Sequence, residues 1–248
     1  MRFQFKEHVT LITGASSGIG AALAKTIVER DGRVALVARS KERLENLVSE
    51  IDPTGEKTSV HLCDVTDRQS AKTALQDVEK RWRRVDCAIL NAGIGGPTSF
   101  REFDANHVRE IYETNVFGVM HFVESALPLM QNNGGGVIVG VSSLAAHIPS
   151  AWVTAYASSK AALTHFLDGM RKKLKKQNIR VISVEPGFVK TPMTAENKNM
   201  FMAVEVEEAA RIIADGIEKG KSVIRFPKLV AAFALFNRML PVKIKFVP

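Results

Sequence analysis

The sequence predicts an α/β fold, with a doubly wound parallel β-sheet of about seven strands and helices on both faces. Short runs that are almost entirely apolar alternate along the chain with longer segments whose apolar residues recur at helical spacing. Strands that lack a polar face are typical of parallel sheets covered by helices on both sides. The chain has 248 residues, of which 46% are hydrophobic, and no repeat or low-complexity linker interrupts it. One domain with a large buried core is therefore expected.

The predicted strands and helices follow one another in order. Strands are expected at 8–13, 33–39, 59–63, 85–90, 136–142, 179–185 and 222–226, each a short apolar run. Helices are expected at 19–30, around 44–51, and at 67–82, 104–130, 156–174 and 205–219, where apolar residues form stripes. Residues 227–248 follow the last strand as an apolar and basic tail, packed on the domain or extending from it.

The net charge of +8 is concentrated at the carboxyl end. No acidic residue follows Glu218, so the chain up to that residue carries a net charge of only +1. A nearly neutral body without a nucleic-acid-binding motif argues against nucleic acid as a partner. The cationic residues after Glu218 are Lys219, Lys221, Arg225, Lys228, Arg238, Lys243 and Lys245.

Cysteine usage and hydropathy favour a soluble cytoplasmic protein. Cys63 and Cys87 lie in apolar runs without metal-binding spacing, which indicates buried free thiols in a reducing compartment. The first residues lack the apolar core of a signal peptide. The longest strongly apolar run, 229–236, is far shorter than the ~20 residues that span a bilayer.

The histidines show no ligand spacing, so no metal site is expected. The six are His8, His61, His107, His121, His147 and His165. Of these, His147 follows the strand expected at 136–142 and could line a substrate pocket.

Tyr156 and Lys160 are four residues apart, which places both side chains on one face of a helix. A phenol has an ordinary pKa of about 10, and an ammonium group beside it favours the phenolate and lowers that pKa. The residues between them are small enough for a ligand to approach the helix closely. An isolated pair of this kind is usually a surface tyrosine beside a solvated lysine, so the other motifs decide its meaning.

A glycine-rich turn joins the first strand to the first helix. Its glycines permit a tight turn and a close approach of backbone to phosphate, and the following helix directs its amide groups at the same point. Such a turn is weak evidence alone, but at this place in an α/β chain it indicates dinucleotide binding. The residues expected at the cofactor are Gly14, Ser16, Ser17, Gly18, Ile19 and Gly20.

The G-x-x-x-G-x-G spacing, taken with Tyr156 and Lys160, resembles the short-chain dehydrogenase/reductase family in its compact single-domain branch. The resemblance covers about residues 8–226. Further matching elements are Asp64-Val65, Asn91-Ala92-Gly93, Asn115, Ser142-Ser143, and Pro186-Gly187 followed by Thr191. The resemblance implies a Rossmann-type fold, with residues 1–226 as the catalytic domain, and an oxidoreductase that transfers a hydride between a nicotinamide cofactor and a carbonyl or alcohol carbon.

The resemblance implies four catalytic residues. Tyr156 is the general acid or base, Lys160 binds the nicotinamide ribose and lowers the tyrosine pKa, and Ser143 donates a hydrogen bond to the substrate oxygen. Ser142 competes with Ser143 for that role and is expected to face the backbone instead. Asn115 binds a backbone carbonyl or a water that links Lys160 to solvent, although a purely structural hydrogen bond is the alternative.

The end of the second strand predicts NADP(H) as the cofactor. An acidic side chain at this point would bind the ribose hydroxyls of NAD and repel a phosphate. Ala38 stands there instead, and Arg39 offers a forked donor to a 2′-phosphate, with Ser40 in support. A merely solvated arginine is the alternative. Reduction is the expected direction, because cells keep NADP mostly reduced.

The remaining cofactor contacts are implied by the resemblance. Asp64 is expected to meet the adenine with Val65 beside it, or else to form a cap or turn. The small residues of Asn91-Ala92-Gly93 let the backbone pass close to the adenine ribose. After Pro186-Gly187, the segment from Val189 to Thr191 is expected to clamp the nicotinamide carboxamide.

The substrate is expected to be apolar. The segment 192–204 contains Met193, Met200, Phe201 and Met202, flexible apolar groups suited to close over a hydrophobic ligand. A short loop that covers its own core is the alternative. A non-catalytic NADP-binding sensor or scaffold is the rival function, but such proteins usually lose the tyrosine, lysine or serine that this chain retains.

Two kinds of partner besides the substrate are expected. In most relatives, the helices expected at 104–130 and 156–174 flank a subunit interface, which favours a homodimer or homotetramer. In the tail, Pro227 suits the start of a helix with an apolar stripe of Leu229, Val230, Phe233, Phe236 and Leu240, which Pro241 ends. Arg238, Lys243 and Lys245 add positive charge, so this helix could lie on an anionic membrane, cover the substrate pocket, or pack on a neighbouring subunit.

Overall fold

The computed structural model describes residues 3–197 and 200–240, and in this part of the chain it contains the predicted parallel sheet. The sheet has seven strands in the order β3-β2-β1-β4-β5-β6-β7, and every pair is parallel. The strands are β1 Val9–Thr13, β2 Arg33–Ala38, β3 Thr58–Leu62, β4 Cys87–Leu90, β5 Gly136–Val141, β6 Ile179–Pro186 and β7 Val223–Phe226. The predicted doubly wound fold is confirmed. The order reverses between β1 and β4, where ligands bind in sheets of this kind.

The helices cover the two faces of the sheet. Those of the described chain are α1 Gly18–Glu29, α2 Lys41–Ile51, α3 Arg68–Trp82, α4 Ala105–Tyr112, α5 Gly118–Asn132, α6 Thr154–Leu174, α7 Val206–Glu218 and α8 Lys228–Met239. One core layer contains the apolar faces of α1, α2 and α7. The other contains those of α3, α5 and α6. The strands lie between the layers, which is why most of their residues are apolar and buried.

The long helix expected at 104–130 is not a regular helix. It is divided into α4 and α5 by a π-helical turn, Glu113–Phe117, and α5 continues to Asn132. The turn contains Asn115, which is fully buried and hydrogen-bonded to the backbone after β4. A π-helical turn holds one more residue than an α-helical turn, and this one brings the amide inward.

The tail helix α8 turns its small residues inward. Ala231 and Ala234 pack on Leu144, in a 3₁₀ turn that follows β5, Leu144–His147. Leu229 and Phe236 of the predicted apolar stripe are exposed instead. Pro241, Lys243 and Lys245 lie outside the described residues. Within the described ranges, no helix has the length and hydropathy needed to cross a bilayer.

Candidate active site

A cleft of about 1010 Å³ opens at the carboxyl ends of the parallel strands. Residues that follow β1 to β6 line it, because the ends of parallel strands meet at one edge of the sheet. Every predicted site residue except Gly20 and Asn115 contributes to the lining. These two residues lie directly behind it, and each supports residues that do line the cleft.

The glycine-rich turn between β1 and α1 has a shape that only glycine allows. Gly14 has φ +66°, and a Cβ atom there would lie 2.9 Å from the Cα atom of Ala92. A Cβ atom at Gly20 would lie 2.3 Å from the carbonyl oxygen of Gly14. The backbone therefore folds back tightly on itself at the start of α1.

The amino terminus of α1 is open toward the cleft. Ser17 is the N-cap of the helix, but its side chain accepts no capping hydrogen bond, and the first turn contains no acidic residue. The free amide groups and the positive end of the helix dipole suit a pyrophosphate. This cradle fits the phosphates of a dinucleotide, which is the cofactor that the fold implies.

Asn91 closes the other side of this turn. Its backbone N–H donates to Thr13 Oγ1 at 3.0 Å, and its Nδ2 donates to the Thr13 carbonyl at 3.0 Å. The ends of β1 and β4 are thereby fixed side by side. Asn91, Ala92 and Gly93 then pass along the cleft as the sequence predicts.

Tyr156 and Lys160 lie on the same face of α6, as their spacing predicts. The Lys160 ammonium lies 5.7 Å from the centre of the Tyr156 ring and donates to the Val141 carbonyl at 2.9 Å. Lys160 is almost fully buried. Gly93 makes room for it, because a Cβ atom at that position would lie 3.2 Å from Lys160 Nζ.

The ionisation of this pair differs from the expectation. Desolvation raises the pKa of Tyr156, and a hydrogen bond from Ser143 only partly opposes the rise. Burial lowers the pKa of Lys160 from 10.5 to about 8. In the protein's own residues, desolvation thus outweighs any lowering of the tyrosine pKa by Lys160, because taking both groups out of water favours their neutral forms, while the expected lowering by Lys160 together with the charge of the oxidised nicotinamide stays a prediction.

Asn115 is held by its π-helical turn against the segment that follows β4. Its Oδ1 accepts from the Ile94 N–H at 2.8 Å, and its Nδ2 donates to the Ile94 carbonyl at 2.9 Å. Nδ2 also contacts Ser159 Oγ at 3.0 Å, and this hydroxyl donates to the Tyr156 carbonyl. Asn115 thus makes the backbone contact that the resemblance implies, and it ties that segment to α6.

The two serines after β5 point in different directions. Ser142 Oγ donates to the Lys160 carbonyl at 2.9 Å and lies 2.6 Å from Thr164 Oγ1, so it faces α6. Ser143 hydrogen-bonds to the Tyr156 phenol and is the N-cap of the 3₁₀ turn, with Oγ accepting from the Ala145 N–H at 3.1 Å. Ser143 is therefore the serine positioned for chemistry beside the phenol.

The far end of the cleft contains Arg39 and Asp64. Arg39 is 74% exposed at its side chain, and its Nη1 lies 3.7 Å from Asp64 Oδ2. Asp64 Oδ1 accepts from the N–H and the hydroxyl of Thr66, so its carboxylate forms a turn, which was one of its two expected roles. Burial acts against ionisation of Asp64, but the Thr66 hydrogen bonds and Arg39 keep its pKa below the usual value. Ser40 is the N-cap of α2 and also lines the cleft.

The segment after β6 closes the cleft from above α1. A Cβ atom at Gly18 would lie 3.3 Å from the Thr191 methyl group. Thr194 donates to the Val189 carbonyl at 2.7 Å and fixes this segment in a 3₁₀ turn. Val189 and Thr191 are thus held opposite the glycine-rich turn, where the resemblance places the nicotinamide end of the cofactor.

Polar residues of α4 and the π-helical turn also line the cleft, and the sequence reasoning missed them. They are Arg109, Glu110, Glu113 and Thr114. The feature of the sequence that could have identified these four residues is the polar face of the helix expected at 104–130. His147, considered as a pocket residue, lies elsewhere: its side chain is 2% exposed and paired with Glu185. Within 3–197 and 200–240, no three His, Cys, Asp or Glu side chains converge as metal ligands would.

The model of the short chain dehydrogenase family matches residues 8–201. An uncharacterized oxidoreductase of Myxococcus xanthus is 33% identical over 235 residues, which cover 94% of this chain and 93% of the relative. A solved short chain dehydrogenase from Burkholderia cenocepacia J2315, in complex with NADP, has a TM-score of 0.82 at 26% identity and covers 94% of this chain and 93% of that one.

A second solved structure is 7α-hydroxysteroid dehydrogenase complexed with NADH and 7-oxo glycochenodeoxycholic acid. Its TM-score is 0.82 at 27% identity, and the match covers 90% of this chain and 93% of that one. The family match over residues 8–201 includes β1 to β6, whose carboxyl ends line the cleft. The chain belongs to the short chain dehydrogenase family and is an oxidoreductase with a fold that binds a nicotinamide cofactor.

Proposed function

We propose that the protein transfers a hydride between NADP(H) and a carbonyl or alcohol carbon of an apolar small molecule. The observation that carries this proposal is the meeting of Ser143, Tyr156 and Lys160 in the cleft that also contains the glycine-rich turn. The turn would hold the pyrophosphate, and Val189 and Thr191 the nicotinamide amide. The nicotinamide, when bound, supplies or accepts the hydride.

Tyr156 moves the proton in this reaction. During reduction, the phenol donates its proton to the substrate oxygen while Ser143 holds that oxygen by a hydrogen bond. Because desolvation raises the pKa of Tyr156, the phenol is protonated at neutral pH and ready to act as an acid. Lys160, when charged, stabilises the phenolate that remains. Asn115 keeps the segment at Ile94 in place beside α6 and supports the path by which the proton is replaced.

Arg39 supports NADP(H) rather than NAD(H). Its guanidinium lies at the end of β2, is largely exposed, and has only a loose contact with Asp64. A forked donor in this place suits a phosphate on the adenosine ribose. The two related structures contain NADP in one case and NADH in the other, so the preference depends on this chain's own residues.

Exposed apolar side chains near the cleft support an apolar substrate. Met193 lines the cleft, and Phe201 and Met202 follow it on the segment after β6, where all three are exposed. Trp152, just before α6, is also exposed. A steroid binds in one related structure, which is consistent with a substrate of this class.

The test is to incubate the protein and Tyr156→Phe with NADPH and a panel of apolar ketones and aldehydes. We expect the wild type to oxidise NADPH with at least one of them. The variant should lose turnover about 10²-fold or more while it binds NADPH with unchanged affinity. Full turnover by Tyr156→Phe would contradict the mechanism. NADPH binding by a wild type that turns over no compound would favour the sensor or scaffold.

We also propose that the protein forms a homodimer or homotetramer through α5 and α6. Both helices have outer faces with half-buried apolar residues, such as Leu127 and Phe166. Light scattering tests this proposal, and a monomer at all concentrations would contradict it. The free thiols Cys63 and Cys87 suit the reducing cytoplasm, which is the compartment we expect.

Peripheral contact of α8 with an anionic membrane is a further part of the proposal. Leu229, Phe236 and Met239 are exposed apolar residues of this helix, in a region of the sequence without acidic residues. Such a helix can lie in the interface of a bilayer. Flotation with anionic vesicles checks it: the full chain should float and a chain ending at Phe226 should not. Equal behaviour of the two chains would remove the idea.

A further inference from the structure

A cluster of charged and polar residues, buried at His147 and Glu185 and exposed at Arg238, joins α8 to the segment that contains Ser143. The Nε2 atom of His147 lies 2.7 Å from Glu185 Oε2, and its Nδ1 atom lies 3.3 Å from Arg238 Nη1. Glu185 also accepts from Arg225 Nε at 2.5 Å and from Ser183 Oγ at 3.0 Å. The side chains of His147 and Glu185 are 2% and 1% exposed. The cluster therefore connects α8, β6, β7 and the 3₁₀ turn after β5.

The partners of His147 define its chemical form. A guanidinium group can only donate hydrogen bonds, so Nδ1 must accept from Arg238. The Nε2 atom then carries the hydrogen and donates it to the Glu185 carboxylate. His147 thus bridges the Glu185 carboxylate and the Arg238 guanidinium, while Arg225 pairs with Glu185 directly.

The 3₁₀ turn Leu144–His147 lies between Ser143 and this cluster. Ser143 is its N-cap and His147 is its last residue. The turn has few hydrogen bonds of its own, since only one short helical turn is formed. Its two ends are held instead by the Ser143 contact with Ala145 and by the bonds of His147.

The apolar contacts of α8 act on the same turn. Leu144, the residue after Ser143, is buried under Ala231 and Ala234. Ser143 Oγ also lies 3.4 Å from the carbonyl oxygen of Pro186, the residue that follows Glu185 in β6. The Ser143 hydroxyl thus contacts Ala145, which follows the Leu144 held by α8. It also contacts Pro186, which follows the Glu185 of the cluster.

We propose that His147 and Arg238 are positioning residues, through which α8 holds the Ser143 hydroxyl in place against the Tyr156 phenol. This inference rests on the proposed function only for its kinetic consequence. The placement of the turn by α8 is a property of the folded chain and can be measured without a substrate. Neither residue lines the cleft or touches the phenol.

Small displacements of the turn that contains Leu144 are enough to affect turnover. A shift of about 1 Å in a group that orients the substrate can lower turnover up to about 10²-fold without loss of binding. Removing Arg238 leaves the His147 acceptor buried without its donor, a defect that the turn can relieve by moving. The glycine-rich turn, at the other side of the cleft, is untouched by such a movement.

The experiment compares Arg238→Met, His147→Phe and His147→Gln with the wild type. Glutamine retains a donor for Glu185 and an acceptor for Arg238, so it is the conservative variant. Arg211→Met, at an exposed position of α7, is the matched control for the loss of a guanidinium. Hydrogen exchange of the peptide covering 143–148 and the affinity for NADPH are measured for each protein, followed by kcat and KM with a compound that the wild type reduces.

We expect Arg238→Met and His147→Phe to increase exchange at 143–148 and to lower kcat by about 10- to 100-fold, with NADPH affinity unchanged. His147→Gln and Arg211→Met should behave like the wild type. In the direction of alcohol oxidation, which needs the phenolate, the rising limb of the pH profile should move to higher pH in the first two variants. This follows because Ser143 lowers the pKa of Tyr156, and a displaced serine no longer does so.

Three results would overturn the inference. One is unchanged exchange at 143–148 in Arg238→Met, which would show that α8 does not hold the turn. Another is increased exchange with an unchanged kcat and pH profile, which would reduce the cluster to a structural role. The third is a parallel loss of NADPH affinity and kcat, which would indicate general damage to the fold. If the wild type itself reduces no compound, the proposed function fails, while the exchange data still decide whether α8 positions the turn.

Discussion

At the scale of single residues, the decisive feature is that Lys160 is buried and the partly exposed Tyr156 lies beside it in the cleft, so both ionisable groups are poorly solvated. Burial lowers the pKa of the lysine to about 8 and raises that of the tyrosine. The protein therefore keeps a poorly solvated cation in its interior at neutral pH, and Val141 gives it one backbone acceptor. Function and stability make opposite demands on this position.

The first prediction is that Lys160→Met increases the free energy of unfolding at pH 7 while it abolishes turnover. The folded-state pKa of about 8 is below the unfolded value of 10.5, so burial of the charge costs stability fully below pH 8. That cost falls as the pH rises above about 8, where the folded protein loses the lysine proton. It is gone above 10.5, where the unfolded chain has lost the same proton. We expect a gain of about 1–3 kcal/mol at pH 7.

Urea unfolding of both proteins at pH 7 and pH 10 measures this difference. The gain should shrink at the higher pH, because the wild type no longer buries a charge there. Lys172→Met, at an exposed position of the same helix, is the control and should change little at either pH. A gain that is equal at both pH values would show that packing, not charge, is responsible.

The second prediction concerns Arg39. Replacing it with alanine should weaken NADPH binding about 10- to 100-fold, because a hydrogen-bonded charge pair with the ribose phosphate is lost. NADH binding should change little, since NADH lacks that phosphate. Fluorescence titration with both cofactors measures the two affinities, and Arg33→Ala, at the start of β2, serves as the control. An equal loss for both cofactors would assign Arg39 a structural role.

At the scale of the elements, the π-helical turn is the local irregularity on which the site depends. It brings Asn115 against Ile94, and the same amide contacts Ser159 on α6. A regular α-helix would place residue 115 at a different angle, away from these partners. The Asn115 side chain thus joins the segment after β4 to the helix with Tyr156.

The third prediction is that Asn115→Ala destabilises the fold by about 2–3 kcal/mol and also lowers turnover. Alanine leaves the half-buried Ile94 N–H and C=O groups without their side-chain partner. Thermal and urea unfolding give the stability, and the kinetic assay gives the turnover. Asn133→Ala, at the exposed end of α5, should have a much smaller effect on both. A stability like that of the wild type would mean that water replaces the amide.

The strands, the glycine-rich turn and the Tyr156 pair could be predicted from the sequence because their signals are local. Apolar runs indicate buried strands, and the glycine spacing reflects one turn in which Gly14 and Gly18 have positive φ and Gly20 packs against the Gly14 carbonyl. The π-helical turn could not be predicted, since Ile94, the partner of Asn115 within that turn, is far from it in sequence. The rise in the tyrosine pKa on burial could not be predicted, because the Tyr156–Lys160 spacing reveals proximity but not desolvation.

At the scale of the whole molecule, the packing of the tail could not be predicted from the sequence either. Its large apolar residues predicted a stripe that packs or binds, yet the buried face of α8 is the one with Ala231, Ala234 and Asn237. Arg238 is exposed, as expected of a cation of the tail, but its guanidinium also contacts the buried His147. Sequence patterning favours large residues as core, but here small residues allow close contact with Leu144.

The last prediction follows from this packing: a chain that ends at Phe226 should be clearly less stable than the full chain. Truncation uncovers Leu144 and removes the guanidinium that His147 accepts from, so it exposes apolar surface and leaves a buried acceptor unpaired. We expect a lower midpoint of thermal unfolding and aggregation by light scattering. Leu229→Ser with Phe236→Ser in the full chain is the control, because these exposed residues contribute little to the core and should leave the midpoint unchanged. A truncated chain with the midpoint of the full chain would show that α8 is an appendage whose contacts with Leu144 and His147 add nothing to the fold.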